Sequence, residues 1–180
     1  MKVERNILLG VTASIAIYKS CELIRKLKEY GFVVSVAMTK EAEELIKPIV
    51  FQSLSGRRVY RGGIFDEPDF WEIEHISLAE KADLILVAPA TANFIAKLAC
   101  GICDDLLTCT ICASSARVLI APAMNENMYQ NKITQSNIAK LKSCGYKFIA
   151  PVKGLLACGK VGVGCLAPVE DIIKEVKKFF

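Results

Sequence analysis

No uninterrupted apolar run in this chain approaches the roughly 20 residues needed to span a bilayer, although 53% of its 180 residues are hydrophobic. That apolar content also excludes a disordered chain. Lys2 and Arg5 precede the apolar stretch Ile7 to Ile17, as in a secretory signal. Gly10, Thr12 and Ser14 interrupt the stretch, however, and no small-residue cleavage site closes it, so secretion is not expected. A strong charge imbalance is missing too. The 23 Lys and Arg against 19 Asp and Glu leave a net charge of +4, and the cations are dispersed. Arg25-Lys26-Leu27-Lys28 reads as the solvated face of an amphipathic helix, not as a nucleic-acid stripe. Histidine is almost absent: His75 is the sole imidazole. The length fits one domain, residues 1–180, with a sizeable core.

Cysteine is plentiful, at eight residues. Cys100-x-x-Cys103 and Cys109-x-x-Cys112 form two pairs separated by five residues. Zinc ribbons separate their pairs by far more. The region has helical character, so packing as small hydrophobes is expected, with a metal or iron–sulfur site as the alternative. Free thiols in this number point to a reducing cytoplasm and not to a disulfide scaffold.

Strands and helices alternate without repeats or low-complexity linkers. Strands are expected at Asn6 to Gly10, at Phe32 to Met38, in the apolar runs that start at Leu84 and at Val118, and at Lys147 to Ala150. Helices are expected at Ser14 to Tyr30, from Glu41, at Ser77 to Ala82, Thr91 to Cys100, Asp104 to Ser114, Ile133 to Cys144 and Val169 to Phe180. An irregular span runs through Trp71. The alternation predicts an α/β fold, a parallel sheet with helices on both faces.

Two strands end alike. Leu84-Ile85-Leu86-Val87-Ala88-Pro89 exits into Ala90-Thr91-Ala92-Asn93, and Val118-Leu119-Ile120-Ala121-Pro122 exits into Ala123-Met124-Asn125. Pro stops the ladder at each exit, and ligands bind at the carboxyl ends of open parallel sheets, so the two exits read as walls of one pocket. The first strand opens through Gly10-Val11-Thr12-Ala13-Ser14 into a helix, an arrangement suited to phosphate. The later glycines of a dinucleotide fingerprint are missing, and the second strand ends in Thr39-Lys40 where ribose recognition would want an acid. A mononucleotide such as FMN therefore fits better than NAD, while Ser14 alone would also serve as an N-cap.

His75 precedes a short helix that leads into the Leu84 strand, within reach of the carboxyl edge, where imidazole suits proton transfer. A structural histidine is the plainer alternative. Residues Pro151 to Gly164 hold Gly154, Gly159, Gly162 and Gly164, with Cys158 between Ala157 and Gly159. This reads as a flexible lid carrying an accessible thiol, or as a plain surface loop.

Gly10 to Lys19, His75-Ile-Ser-Leu-Ala, Pro89 to Asn93, Gly101 to Thr108, Pro122 to Asn125 and Gly154 to Gly159 occur in order over essentially the whole chain. Together they resemble the flavin-dependent cysteine decarboxylases, most closely the branch serving coenzyme A biosynthesis. The resemblance implies a Rossmann-like flavoprotein that assembles as a homotrimer or a dodecamer of trimers, with FMN near subunit contacts. It implies that 4′-phosphopantothenoylcysteine is oxidised to a thioaldehyde, loses CO2 to give an enethiol, and is re-reduced to 4′-phosphopantetheine. By the same resemblance Gly10, Thr12, Ala13, Ser14, Thr39, Pro89, Ala90, Thr91, Ala92 and Asn93 hold FMN. Asn125 anchors the substrate carboxylate, with Met124 and Ala157 beside the substrate. His75 assists the oxidation, and Cys158 is the acid of the last step.

The chain departs from this pattern at Cys165-Leu166, where the family commonly has Arg-Met, and at Lys132, where a Pro is usual. A missing guanidinium weakens the clamp on an anionic part of the substrate. Many relatives continue into a ligase domain that joins cysteine to phosphopantothenate, a partner expected either fused or separate. Three other functions stay open: an oxidative decarboxylase of peptide C-terminal cysteines, a non-enzymatic regulatory subunit of a phosphatase, and a metal-binding redox protein using the paired cysteines.

Overall fold

Strands whose residues are apolar on both sides must be covered on both faces, and that requirement sets the architecture. In β4 (Leu84–Ala90) all seven residues are buried. Leu84, Leu86 and Ala88 enter one hydrophobic cluster, while Ile85, Val87 and Ala90 enter the other. The computed structural model, which describes residues 4–62 and 73–180, places β4 at the middle of a six-stranded sheet. The other strands are β1 (Asn6–Val11), β2 (Val33–Met38), β3 (Val59–Tyr60), β5 (Arg117–Pro122) and β6 (Lys147–Phe148). All pairings are parallel, in the order β3-β2-β1-β4-β5-β6. Order reverses between β1 and β4, and such a switch point opens a crevice at the carboxyl ends.

On one face lie α1 (Lys19–Glu29), α3 (Pro48–Ser55) and α9 (Val169–Lys177), burying Leu23, Ile24, Phe51, Ile172 and Val176 against β1, β2 and β4. The opposite face carries α4 (Glu74–Lys81), α5 (Ala92–Cys100), α6 (Leu106–Ala113) and α8 (Lys132–Ser143), through Leu78, Phe94, Leu107, Ile138 and Leu141. Short helices α2 (Lys40–Leu45) and α7 (Glu126–Gln130) follow the β2 and β5 exits. The parallel sheet with helices on both faces is as expected.

Several boundaries differ. The helix expected from Ser14 begins as a 3-10 turn at Ile15–Tyr18, because Ser14 caps that turn through the Ala16 amide at 3.4 Å. The irregular span contains α3 and β3; its residues 63–71 lie outside the described residues. The expected Ser77 helix begins at Glu74, so His75 stands inside its first turn and not ahead of it. A further correction concerns the segment after β6. In place of a loose lid, β7 (Val152–Leu155) and β8 (Val161–Cys165) pair as an antiparallel hairpin. Its five-residue connection is closed by the Leu156 amide on the Lys160 carbonyl (2.8 Å) and the Gly159 amide on the Leu156 carbonyl (2.9 Å). Alternating small and β-branched residues on β8 satisfy the pairing, so glycine here serves close approach more than looseness.

The paired cysteines do not form one helical face. Gly101, in the left-handed region at φ 70°, ends α5 directly after Cys100. Cys103 is thereby left in the connection, where it is exposed along with Cys100 and Cys112. Only Cys109 of the four is buried, as packing predicts. Burial pushes its thiol from 9.0 up to about 11, with the nearby Cys103 thiol adding to the shift. Among the described residues no three His, Cys, Asp or Glu side chains are arranged to hold a metal ion.

Candidate active site

The exits of β1 and β4 are tied together by one hydroxyl. Thr12 Oγ1 donates to the Pro89 carbonyl at 2.8 Å and accepts from the Thr91 amide at 3.0 Å. The Thr12 amide donates to the same carbonyl at 3.3 Å. From the other side, Ser20 Oγ on α1 donates to the Ala88 carbonyl at 2.9 Å. Both hydroxyls are buried, and pairing them with these carbonyls avoids the cost of unsatisfied polar groups. The Ala88–Pro89 peptide between them is cis. Thr91 then caps α5, accepting the Phe94 amide at 3.2 Å. The first-turn amides of Ala92 and Asn93 have no carbonyl before them in the helix, which leaves donors at this edge.

The β5 exit is built differently. Asn125 caps α7, its Oδ1 accepting the Asn127 amide at 2.9 Å. This bond fixes which way the amide points. Nδ2 turns away from the helix toward the hairpin, where it lies 3.8 Å from Cys158 Sγ. The hairpin is docked on the same exit, with the Met124 amide donating to the Gly164 carbonyl at 3.0 Å. A Cβ on Gly164 would stand 2.1 Å from the Met124 carbonyl oxygen, so only glycine permits the approach.

A cavity of about 710 Å³ opens between these three exits and the hairpin. Ala13 and Ser14 line it from β1, Thr91 and Ala92 from β4, Met124 and Asn125 from β5, and Ala157 and Cys158 from the hairpin. These eight expected residues are therefore brought together. Lys19 also lines it and is the one cationic side chain among the described lining residues. The expectation of a site at the carboxyl edge did not single out Ile15, Tyr18, Lys19, Met128 or Leu155, all of which contribute to the wall. The signal for Lys19 was available, since a side chain five residues beyond Ser14 follows from the turn that starts there.

Other expected residues stand outside the cavity wall. Thr12, Pro89 and Ala90 are buried behind it. Gly10 is buried beneath Leu107: a Cβ there would be 2.8 Å from Leu107 Cδ2, so the glycine admits α6 onto β1. Thr39 is at the β2 exit, 7% exposed, its amide bonded to the Val11 carbonyl at 3.1 Å. Asn93 is exposed on α5. His75 is half-buried on α4 and does not line the cavity of its own chain. Cys165 does line it, with Sγ 3.5 Å from the Leu155 carbonyl, so the position where the resemblance leads one to expect a guanidinium offers a thiol.

The chain matches the model of the family described as Flavoprotein over residues 1–180. It is 49% identical over 177 residues to the coenzyme A biosynthesis bifunctional protein CoaBC of Bacillus subtilis, covering 98% of this chain and 43% of that protein. It is 46% identical over 178 residues to the Streptococcus mutans protein named "Probable phosphopantothenoylcysteine decarboxylase", covering 98% of this chain and 99% of that one. The chain thus spans less than half of the first relative and nearly all of the second. Among solved structures, a PPC decarboxylase mutant complexed with pantothenoylaminoethenethiol superposes with a TM-score of 0.88 at 30% identity, covering 98% of each chain. The FMN-dependent cysteine decarboxylase SpaF superposes with a TM-score of 0.83 at 28% identity, covering 95% of this chain and 94% of that one.

Proposed function

This chain belongs to the flavoprotein family, and from that membership we propose that it is an FMN-dependent decarboxylase converting 4′-phosphopantothenoylcysteine to 4′-phosphopantetheine in the cytoplasm. The observation that carries the reading is the Asn125 amide held 3.8 Å from the Cys158 thiol at the cavity wall. One group donates hydrogen bonds to a carboxylate and the other donates a proton, and a cysteinyl substrate that must lose CO2 and regain a proton needs both.

The cavity suits a flavin mononucleotide. Its volume is in the range of cofactor sites. Alanines at 13, 92 and 123 leave flat walls, and the amides at the start of α5 with Ser14 and Lys19 answer a phosphate. Bound FMN supplies the two-electron oxidation and reduction. The chain supplies the rest. Thr12 orients the β1 and β4 exits, Asn125 Nδ2 binds the substrate carboxylate, and the hairpin covers the pocket. Cys158 Sγ holds the proton delivered last, which favours the complete reaction over one that stops at the oxidised product.

Assembly into a trimer, or a dodecamer of trimers, is part of this proposal. His75 lies off the cavity of its own chain, and a second copy would bring it there as the base or orienter of the oxidation. Ile15, Tyr18 and Leu155 at the cavity wall are 62%, 61% and 72% exposed, an apolar rim suited to such a contact. A phosphopantothenate–cysteine ligase, fused or separate, is the partner expected to supply the substrate. The test is an absorption spectrum of the purified protein, followed by assay with the phosphorylated substrate for CO2 and product mass. Flavin bands with the saturated product support the reading; an iron–sulfur spectrum without flavin overturns it.

A further inference from the structure

The hairpin carrying Cys158 is fastened to the β5 exit at a second point beside the Met124–Gly164 bond. Glu126, directly after Asn125, accepts the Val163 amide on Oε1 at 2.9 Å. Its Oε2 occupies the space above Gly162, where a Cβ would lie 2.5 Å from that oxygen. Gln130, one turn along α7, reaches Oε1 at 3.4 Å. Two consecutive side chains of one turn therefore meet the hairpin at two places, Asn125 at Cys158 and Glu126 at Val163. The Met124–Gly164 and Glu126–Val163 bonds together fix the rotation of the hairpin on the exit, and without the second the first acts as a pivot that lets Cys158 drift from Asn125. A charged acceptor makes the stronger bond to an amide.

We infer that Glu126 is a positioning residue: its carboxylate clasps β8 through Val163 and so holds the Cys158 thiol opposite the Asn125 amide. Gly162 is the matching feature, because any larger residue would evict the carboxylate. The inference rests on the decarboxylase reading for its effect on product, but not for the clasp itself. Protonation comes last, so loss of the clasp acts on the final step more than on CO2 release. A role in stability alone would leave the ratio of products unchanged.

The test combines amide exchange with product analysis on the full chain. Glu126→Ala is expected to speed exchange of the Val163 amide by about 10-fold, the effect of one lost hydrogen bond, with β4 and β5 amides unchanged. In air, where dioxygen reoxidises the flavin left reduced each time the enethiol escapes, the proportion of product two hydrogens lighter should rise by a similar factor, about 10-fold, while CO2 release changes by no more than about 3-fold. Glu126→Gln retains an acceptor oxygen and should restore both readouts. Gly162→Ala should reproduce the pattern of Glu126→Ala, and it supplies the test if that variant folds poorly. The double variant should be no worse than either single one, since both remove one bond. Unchanged exchange in Glu126→Ala, fully additive effects, or a Gln variant as impaired as the Ala variant each overturns the clasp. If the unmodified protein releases no CO2, the decarboxylase reading fails, and exchange with the double variant still decides the clasp.

Discussion

Asn125 and Cys158 are 33 residues apart in the chain, yet the amide nitrogen of one lies 3.8 Å from the sulfur of the other. The pair is oriented from the Asn125 side, because its Oδ1 is committed to the Asn127 amide and only the Nδ2 donors face the hairpin.

Asn125→Asp separates the two duties of that side chain. A carboxylate still accepts the Asn127 amide, so the cap on α7 survives and stability should change by about 0.5 kcal/mol or less. The donors are lost and a negative charge replaces them beside the substrate carboxylate, where repulsion in a dry pocket costs several kcal/mol. Decarboxylation should fall by at least about 100-fold, and CO2 release under saturating substrate checks it. Unchanged turnover would remove Asn125 as the anchor.

Cys158→Ser should still oxidise substrate and release CO2, then fail to complete the reaction. A serine hydroxyl is a far weaker acid than a thiol. The flavin is left reduced; dioxygen reoxidises it, and mass spectrometry should find a released product two hydrogens lighter than 4′-phosphopantetheine. Cys103→Ala and Cys109→Ala serve as controls and should give the ordinary product. Normal product from the Ser variant would take Cys158 out of the mechanism.

His75→Asn should retain flavin and lose its bleaching by substrate under anaerobic conditions. Because His75 does not line its own chain's cavity, the defect should be complemented in mixed assemblies. Co-refolded His75→Asn and Cys158→Ser chains should recover roughly a quarter of full activity, the share of sites that draw both intact residues from different copies. No recovery after subunit exchange has been verified would place His75 in the site of its own chain.

Cys109 gives a pH prediction. Burial raises its thiol from 9.0 to about 11 in the folded chain, with Cys103 contributing. The folded state therefore holds the proton more tightly, and this contribution to stability is complete below about pH 9. Between pH 9 and 11 it is lost as the unfolded chain ionises first. Urea midpoints measured across that window should fall more steeply for the unsubstituted protein than for Cys109→Ala. Parallel curves would show that Cys109 does not titrate as described.

Much of this was legible because the central strands say the same thing at every level. In β4 a continuous apolar run followed by Pro89 and Thr91 specifies burial, exit and helix cap within a few residues. The pocket walls at Thr91 and Asn125 were legible for the same reason. Thr12 was less so, since a hydroxyl in a phosphate-like turn reads as a ligand, while its partners, Pro89 and Thr91, are distant in sequence. The hairpin was read as a lid because four glycines look like flexibility when the surfaces they approach, Met124 and Glu126, are not yet in view. Glu126 carried no signal of its own: on a short exposed turn, a carboxylate looks like any solvated charge.

The antiparallel pair β7–β8 shares no ladder bond with the six-stranded sheet, and that separation has a consequence for descent. Changes at Leu155, Ala157 or Cys165 reshape what faces the cavity without disturbing either hydrophobic cluster, since none of them belongs to one. A change at Leu86 or Val87 has no such freedom. Provided Gly162 and Gly164 stay, the hairpin can drift or be exchanged as a cassette while the scaffold beneath it is inherited intact. A change at Cys165 is the kind of variation that this arrangement tolerates, and new substrates can be reached by editing one short ribbon of chain.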